Sequence, residues 1–393
     1  MTRRDLLPYF LLVSVAMMGM GGIFTLLGEL RDQLGFSETG LSIMVAMGFF
    51  VAFGAQVGLA RFSDRGHSAA MIRIGLACLT IAMMIMSVAT ELWQFIGARM
   101  VLGLGIGSLL PAVRRLVIAA DPDRVGANMG TMGAFDLMGF FVGPLIAGGL
   151  AEVAGLRAPF LALAAITAAF IPSVARLPVD PGATTSERKV IRVLLAQPGV
   201  RAMLISVGGW FAMIGVFESV WAVMLTDRGA PTWVIAVTMS IILLPMMAIA
   251  PLSGPWAQRH GPLRLAGAGV LLSAPCVLAF GFVNPLWVFI AIAAVQGVAD
   301  AIVFPSTQIG VAMAADKELA ASAQGLQGAS LELTAGTVAL FAGAVYEHIG
   351  RSWLFAGIAV LMVTGVATAA LLAQRLPAND VLLVGDKPRP VPA

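Results

Sequence analysis

Residues 92–111 read LWQFIGARMVLGLGIGSLLP, and residues 286–305 read LWVFIAIAAVQGVADAIVFP. Seven of these twenty positions coincide: Leu92/Leu286, Trp93/Trp287, Phe95/Phe289, Ile96/Ile290, Val101/Val295, Gly103/Gly297 and Pro111/Pro305. The offset is 194, and it also sets Ser63-Asp64-Arg65 against Ala257-Gln258-Arg259. At 195, Gly130, Gly133 and Ala134 meet Gly325, Gly328 and Ala329, and Glu152, Gly155 and Phe160 meet Glu347, Gly350 and Phe355. The chain is an apolar half followed by a diverged copy of itself. In membrane proteins a parallel repeat of this kind places a binding site at the repeat interface, near mid-bilayer.

Composition names the solvent. Of 393 residues, 59% are hydrophobic and 11% charged, against about 25% charged in a soluble domain. With 44 Gly, 22 Met and 3 Lys the chain cannot clothe a surface with polar groups, and a bilayer is the medium that fits. Cys78 and Cys276 fall in apolar stretches of different halves and read as small core residues. His67, His260 and His348 all fall in expected loops, which argues against a metal site. Thr2-Arg3-Arg4 precedes a long apolar run without a clear cleavage site, so a cleaved leader is not expected.

Twelve apolar stretches have spanning length: 8–29, 40–60, 71–90, 94–117, 127–150, 158–175, 201–226, 233–256, 265–283, 286–312, 320–345 and 353–373. Each crosses a core of about 30 Å as a helix rising about 1.5 Å per residue. With both termini on one side, that side collects 19 Arg and Lys against 4 on the other, and Arg99 falls inside a span. The bias places both termini in the cytoplasm of a multi-pass plasma-membrane protein. The expected organisation is a six-helix bundle over 1–176, a cytoplasmic linker over 177–200, a second bundle over 201–375 and a disordered tail over 376–393. Within the linker, Ser186-Glu187-Arg188-Lys189-Val190-Ile191 opens a short amphipathic helix. The fold class is all-α, twelve transmembrane helices in two six-helix pseudo-repeats.

Local motifs carry a resemblance. Ala60-Arg61-Phe62-Ser63-Asp64-Arg65-Gly66-His67 follows span two, and Gly254-Pro255-Trp256-Ala257-Gln258-Arg259-His260-Gly261 stands at the same place in the second half. Arg99-Met100-Val101-Leu102-Gly103 lies within span four, with Gln296-Gly297 at the equivalent place in span ten. Span five holds Gly139-Phe140-Phe141-Val142-Gly143-Pro144-Leu145-Ile146-Ala147-Gly148-Gly149. In this order across the whole chain, the motifs resemble those of the major facilitator superfamily. The span-five element is similar to the one enriched in its proton-coupled drug exporters. The resemblance implies a transporter without cofactor, driven by a proton gradient, acting on a small molecule and working as a monomer in the lipid bilayer. It also implies that Asp64, Arg65 and Arg61 latch the inner face, with Arg124 as a partner and Arg259 in the repeat position. Gly139, Gly143, Pro144 and Gly148 are the helix-packing elements of span five.

A charge at mid-bilayer costs at least about 2.5 kcal/mol on insertion scales, so it normally faces a cavity and has a task. Five residues qualify: Asp136, Arg99, Glu218, Asp300 and Glu332. Asp136 lies ten residues into span five, about 15 Å deep. A carboxylic acid in an apolar cavity can bind and release a proton near neutral pH, and loss of the proton favours a cation in its place. The other reading pairs Asp136 permanently with Arg99. Glu218, flanked by Trp210, Phe217 and Trp221, either holds a lipophilic cation by charge and cation–π contact or belongs to an aromatic belt facing lipid. Gln296 and Met132 are further cavity candidates, and methionines can line an adaptable site. No P-loop, nucleophile–base pair or nucleic-acid motif appears, so an enzyme is not expected. The functional expectation is proton-coupled export of small amphipathic molecules. The rivals are a proton-linked transporter of one metabolite and a non-transporting sensor.

Overall fold

A computed structural model of the chain describes residues 3–62, 66–121, 124–175, 187–316 and 319–374. Every regular element among them is a helix. Span one is α1 (Arg3–Thr25), continued by the short α2 (Leu27–Leu34). Spans two to five are α3 (Glu38–Phe62), α4 (Ser68–Val88), α5 (Leu92–Ala120) and α6 (Val125–Ala154). Span six breaks into α7 (Arg157–Ala169) and α8 (Ile171–Ala175), and α9 (Glu187–Ala196) lies in the connection between the repeats. Span seven is α10 (Pro198–Thr226), and span eight is α11 (Thr232–Ile241) plus α12 (Leu243–His260). The last four are α13 (Pro262–Phe280), α14 (Leu286–Ala314), α15 (Ala320–His348) and α16 (Arg351–Ala373). Twelve of these runs are long and apolar enough to cross a membrane.

The sequence repeat is written into the backbone. Among the described residues, six glycines adopt positive φ: Gly35, Gly66, Gly155, Gly229, Gly261 and Gly350. They form three pairs at the repeat offsets, Gly35/Gly229, Gly66/Gly261 and Gly155/Gly350, so equivalent turns use the same left-handed residue. Packing repeats as well. α5 packs on α3 and α4, and α14 packs on α12 and α13; α4 packs on α7 as α13 packs on α16. A side chain at Gly103 would land on the carbonyl of Gly48, and one at its repeat mate Gly297 on the carbonyl of Ile242. Those two carbonyls are themselves 194 apart. Small residues here let helix backbones touch, which substitutes for the hydrophobic driving force that lipid does not supply.

By contact the chain divides into two compact units that cut across the sequence repeat. The first is residues 1–186, 215–241 and 336–347; the second is 187–214, 242–335 and 348–393. α10 therefore changes unit between Ile214 and Gly215. In the first unit, α6 packs on α1 and α11. Its small residues do this work: side chains at Gly139 and Gly143 would strike the carbonyls of Ser14 and Met18, and one at Gly148 would strike Ala236. The Pro144 ring completes the seam against Gly21. In the second unit, Phe280, Phe289 and Phe355 form a ring cluster joining α13, α14 and α16, with centroids 4.7 and 5.8 Å from Phe280. On α9 the apolar Leu194 is fully buried, which anchors one face of that helix.

Candidate functional site

In the first unit, Asp136 sits mid-way along α6 and is partly exposed. The cation acting on it is Arg114 of α5, itself partly exposed. This differs from the alternative reading that pairs Asp136 with Arg99. The reason is register. α5 and α6 are antiparallel across the connection at 121–124. Arg114 is within about five residues of level with Asp136, an axial gap of about 7 Å that an arginine can span. Arg99 is about ten residues off level, or about 15 Å. Arg99 instead lies buried at 1% exposure with its guanidinium carbon 4.7 Å from the centre of the Phe24 ring, a cation–π contact. Its chain runs against Gly48, where a side chain would meet the Arg99 Nε at 2.7 Å. Met132, one turn before Asp136, is buried.

Glu218 is also in the first unit and buried, and so is Trp221, whose ring centroid is 4.7 Å from that of Phe217. Trp221 donates its indole N–H to Thr238 Oγ1 at 3.3 Å. These residues do not form a belt facing lipid: Trp221 is 2% and Glu218 5% exposed. The exposed tryptophans are Trp93, Trp233, Trp256, Trp287 and Trp353.

Trp210, grouped with Glu218 by sequence, belongs to the second unit and serves a different acid. Its indole N–H donates to Asp300 Oδ1 at 2.8 Å. Ser273 Oγ on α13 donates to the same oxygen at 3.3 Å, and Gln296 Nε2, one turn earlier on α14, donates to Oδ2 at 3.3 Å. Asp300 is 4% exposed, and its three partners are neutral donors drawn from three helices. Glu332 of α15 is buried too.

A cluster of charged and hydroxyl side chains ties both repeats together at the ends of the first unit's helices. Arg31 of α2 bonds Asp227 at 2.5 Å, Asp32 at 2.9 Å and Glu38 at 3.2 Å. Tyr346 of α15 donates its hydroxyl to the other Asp227 oxygen at 2.5 Å. Thr39 donates to Glu347 through N–H at 3.1 Å and hydroxyl at 2.7 Å, and Thr232 donates to Glu29. Burial alone would lower the Arg31 pKa, but its bonds to Asp227 and Asp32 outweigh that and hold it above the ordinary value. So raised, the arginine stays charged, and its stabilisation is present, throughout the physiological range.

Of the expected inner latch, Asp64 and Arg65 and the side chain of Arg61 lie outside the described residues, while Arg124 and Arg259 are exposed. Cys78 and Cys276 are free thiols.

Comparison with known proteins agrees with this architecture. The family model described as Major Facilitator Superfamily matches residues 9–248 and 219–392. A protein named multidrug resistance protein MdtG from Enterobacter lignolyticus (strain SCF1) is 25% identical over 334 residues, covering 81% of this chain and 79% of its own length. Its namesake from Serratia proteamaculans (strain 568) is 26% identical over 255 residues, covering 62% of each chain. Among solved structures, the nucleoside transporter NupG superposes with TM-score 0.76 at 12% identity, over 93% of this chain and 98% of its own. A bacterial homologue of the human lysosomal transporter Spinster, in its inward-facing unoccupied form, gives 0.73 at 14% identity, over 98% of both chains.

Proposed function

The chain belongs to the Major Facilitator Superfamily, and from that premise we propose that it exports small amphipathic molecules, cationic or neutral, in exchange for protons. It is a multi-pass membrane transporter. Its likeness is to the multidrug-resistance branch, and the names of those relatives support the substrate class. The observation that carries the exchange is Asp136, a carboxylate inside the α6 span, with the Arg114 guanidinium of the adjacent α5 acting on it through space.

A carboxylate at depth can be neutralised by a proton or by a cationic substrate, and the two exclude each other. Binding of one displaces the other, which is the minimum requirement for antiport. In this reading both termini lie on the cytoplasmic side of the plasma membrane, which the arginine bias supports, and the working unit is a monomer. The proton gradient is the only driving force invoked. Proteoliposomes with an imposed pH gradient test the reading. A fluorescent lipophilic cation should move with the gradient and stop when an ionophore collapses it. Movement of one metabolite and no cation would replace this reading by a dedicated transporter.

Alternating access requires something to open and close. In this reading the Arg31 cluster is the outer latch, because it ties the first two spans to the ends of spans seven and eleven. Arg31→Asp and Asp227→Arg should each lower the transport rate several-fold. The double exchange should recover most of the loss, since it restores opposite charges at the same place. Equal loss in the double variant would reduce the cluster to ordinary surface charge.

A further inference from the structure

We infer that Asp300 is a second proton site, and that Gln296 is the rotor that lets it exist in both charge states. This deepens the exchange reading and rests on it only for its role in transport, not for the protonation itself.

The argument begins with donors and acceptors. A tryptophan indole N–H can only donate. Trp210 bonds Asp300 Oδ1 at 2.8 Å, so that oxygen must remain an acceptor whatever the charge of the carboxyl. An incoming proton therefore goes to Oδ2, forming an O–H bond there and neutralising the carboxylate, with no other bond made or broken. The neighbour of Oδ2 is Gln296, which now donates Nε2 at 3.3 Å. A carboxamide has a donor end and an acceptor end of nearly equal size. Turning it about its last bond puts Oε1 where Nε2 was, ready to accept the new O–H. The turn forfeits only one weak contact, Gln296 Nε2 to Met213 Sδ at 3.5 Å.

The carboxyl is thus satisfied in both charge states without moving a helix. That matters because Asp300 and Gln296 are 4% and 3% exposed, and a buried polar group left without a partner costs about 1–3 kcal/mol. A permanent structural carboxylate at this depth would be expected to have a cation. Among the described residues no charged group acts on Asp300. α13 brings the Cys276 thiol within electrostatic reach. Arg201 on α10, Arg259 and His260 on α12 and Arg264 on α13 are exposed near their helix ends.

Infrared difference spectra of the purified protein between neutral and acid pH test this without any transport. A protonated-carboxyl C=O band should appear on acidification and be missing in Asp300→Asn. In Gln296→Met the band should move to higher frequency, because the O–H has lost its acceptor. In Trp210→Phe it should also move up, because the C=O has lost its donor. A band untouched by Asp300→Asn would overturn the site, and a band unmoved by Gln296→Met would overturn the rotor. Should Asp300→Asn elute as aggregate, the two frequency shifts decide alone. Proteoliposomes that show the band in the purified protein but no gradient-driven movement would sink the exchange reading and leave the proton site standing.

Discussion

Asp136→Asn is expected to abolish gradient-driven export of a lipophilic cation while the protein still folds. Asparagine keeps the shape of the side chain and removes only its charge and its ability to take a proton. The rate should fall by at least about a hundredfold, the low end of what a positioned proton-transfer group contributes. One complication can be separated out. Removing the carboxylate leaves Arg114 without the negative charge that acts on it inside the α5 span, where an uncompensated charge is unfavourable. Some loss of stability is therefore expected in the single variant. The double variant Asp136→Asn with Arg114→Gln removes both charges and should regain stability without regaining transport. Export that stays fully coupled in Asp136→Asn would make the pair a structural strut.

The repeat, the number of spans and their limits were legible because they depend on hydropathy and on identities such as Trp93/Trp287 and Pro111/Pro305. Hydropathy reports depth well. It does not report rotation about the helix axis, because a span apolar all round has no stripe to orient it. Trp210 and Phe217 are two turns apart and read as one aromatic face; yet Trp210 serves Asp300 and Phe217 stacks on Trp221, because α10 changes unit between them. In the sequence Arg114 is only one of the 19 positive charges on the side of the termini. Counting residues outward from the 121–124 connection would have set it nearly level with Asp136 and ruled out Arg99. The breaks at Phe170 and Ile242, which split spans six and eight, left no signal in composition. The Arg31 cluster was hidden for a different reason. Its members come from segments 196 and 119 residues apart, and only the folded chain brings them together.

Alanine at Gly143 or Gly139 should destabilise the protein strongly, while alanine at Gly133 or Gly149 on the same helix should not. The difference lies in what each new methyl meets. At Gly139 and Gly143 it meets backbone, the carbonyls of Ser14 and Met18. Backbone cannot step aside like the tip of a side chain, so α1 and α6 must part along the seam. Overpacking of this kind costs about 1–3 kcal/mol, and here it also loosens the neighbouring contact of Pro144 with Gly21. At Gly133 and Gly149 nothing lies within 4 Å, so alanine should be neutral or gain about 0.5–1 kcal/mol from its better helix propensity. Thermal unfolding in detergent, followed by retention of a monodisperse elution peak after heating, compares the four variants directly. A Gly143→Ala protein as heat-resistant as Gly133→Ala would show that the seam yields freely. The effect should extend beyond stability. Asp136, Gly139 and Gly143 share one face of α6 at helical spacing, so a seam forced open also moves the carboxylate. Gly143→Ala should then transport more slowly even at temperatures where it remains folded, and Gly149→Ala, six residues further along the same helix, should not.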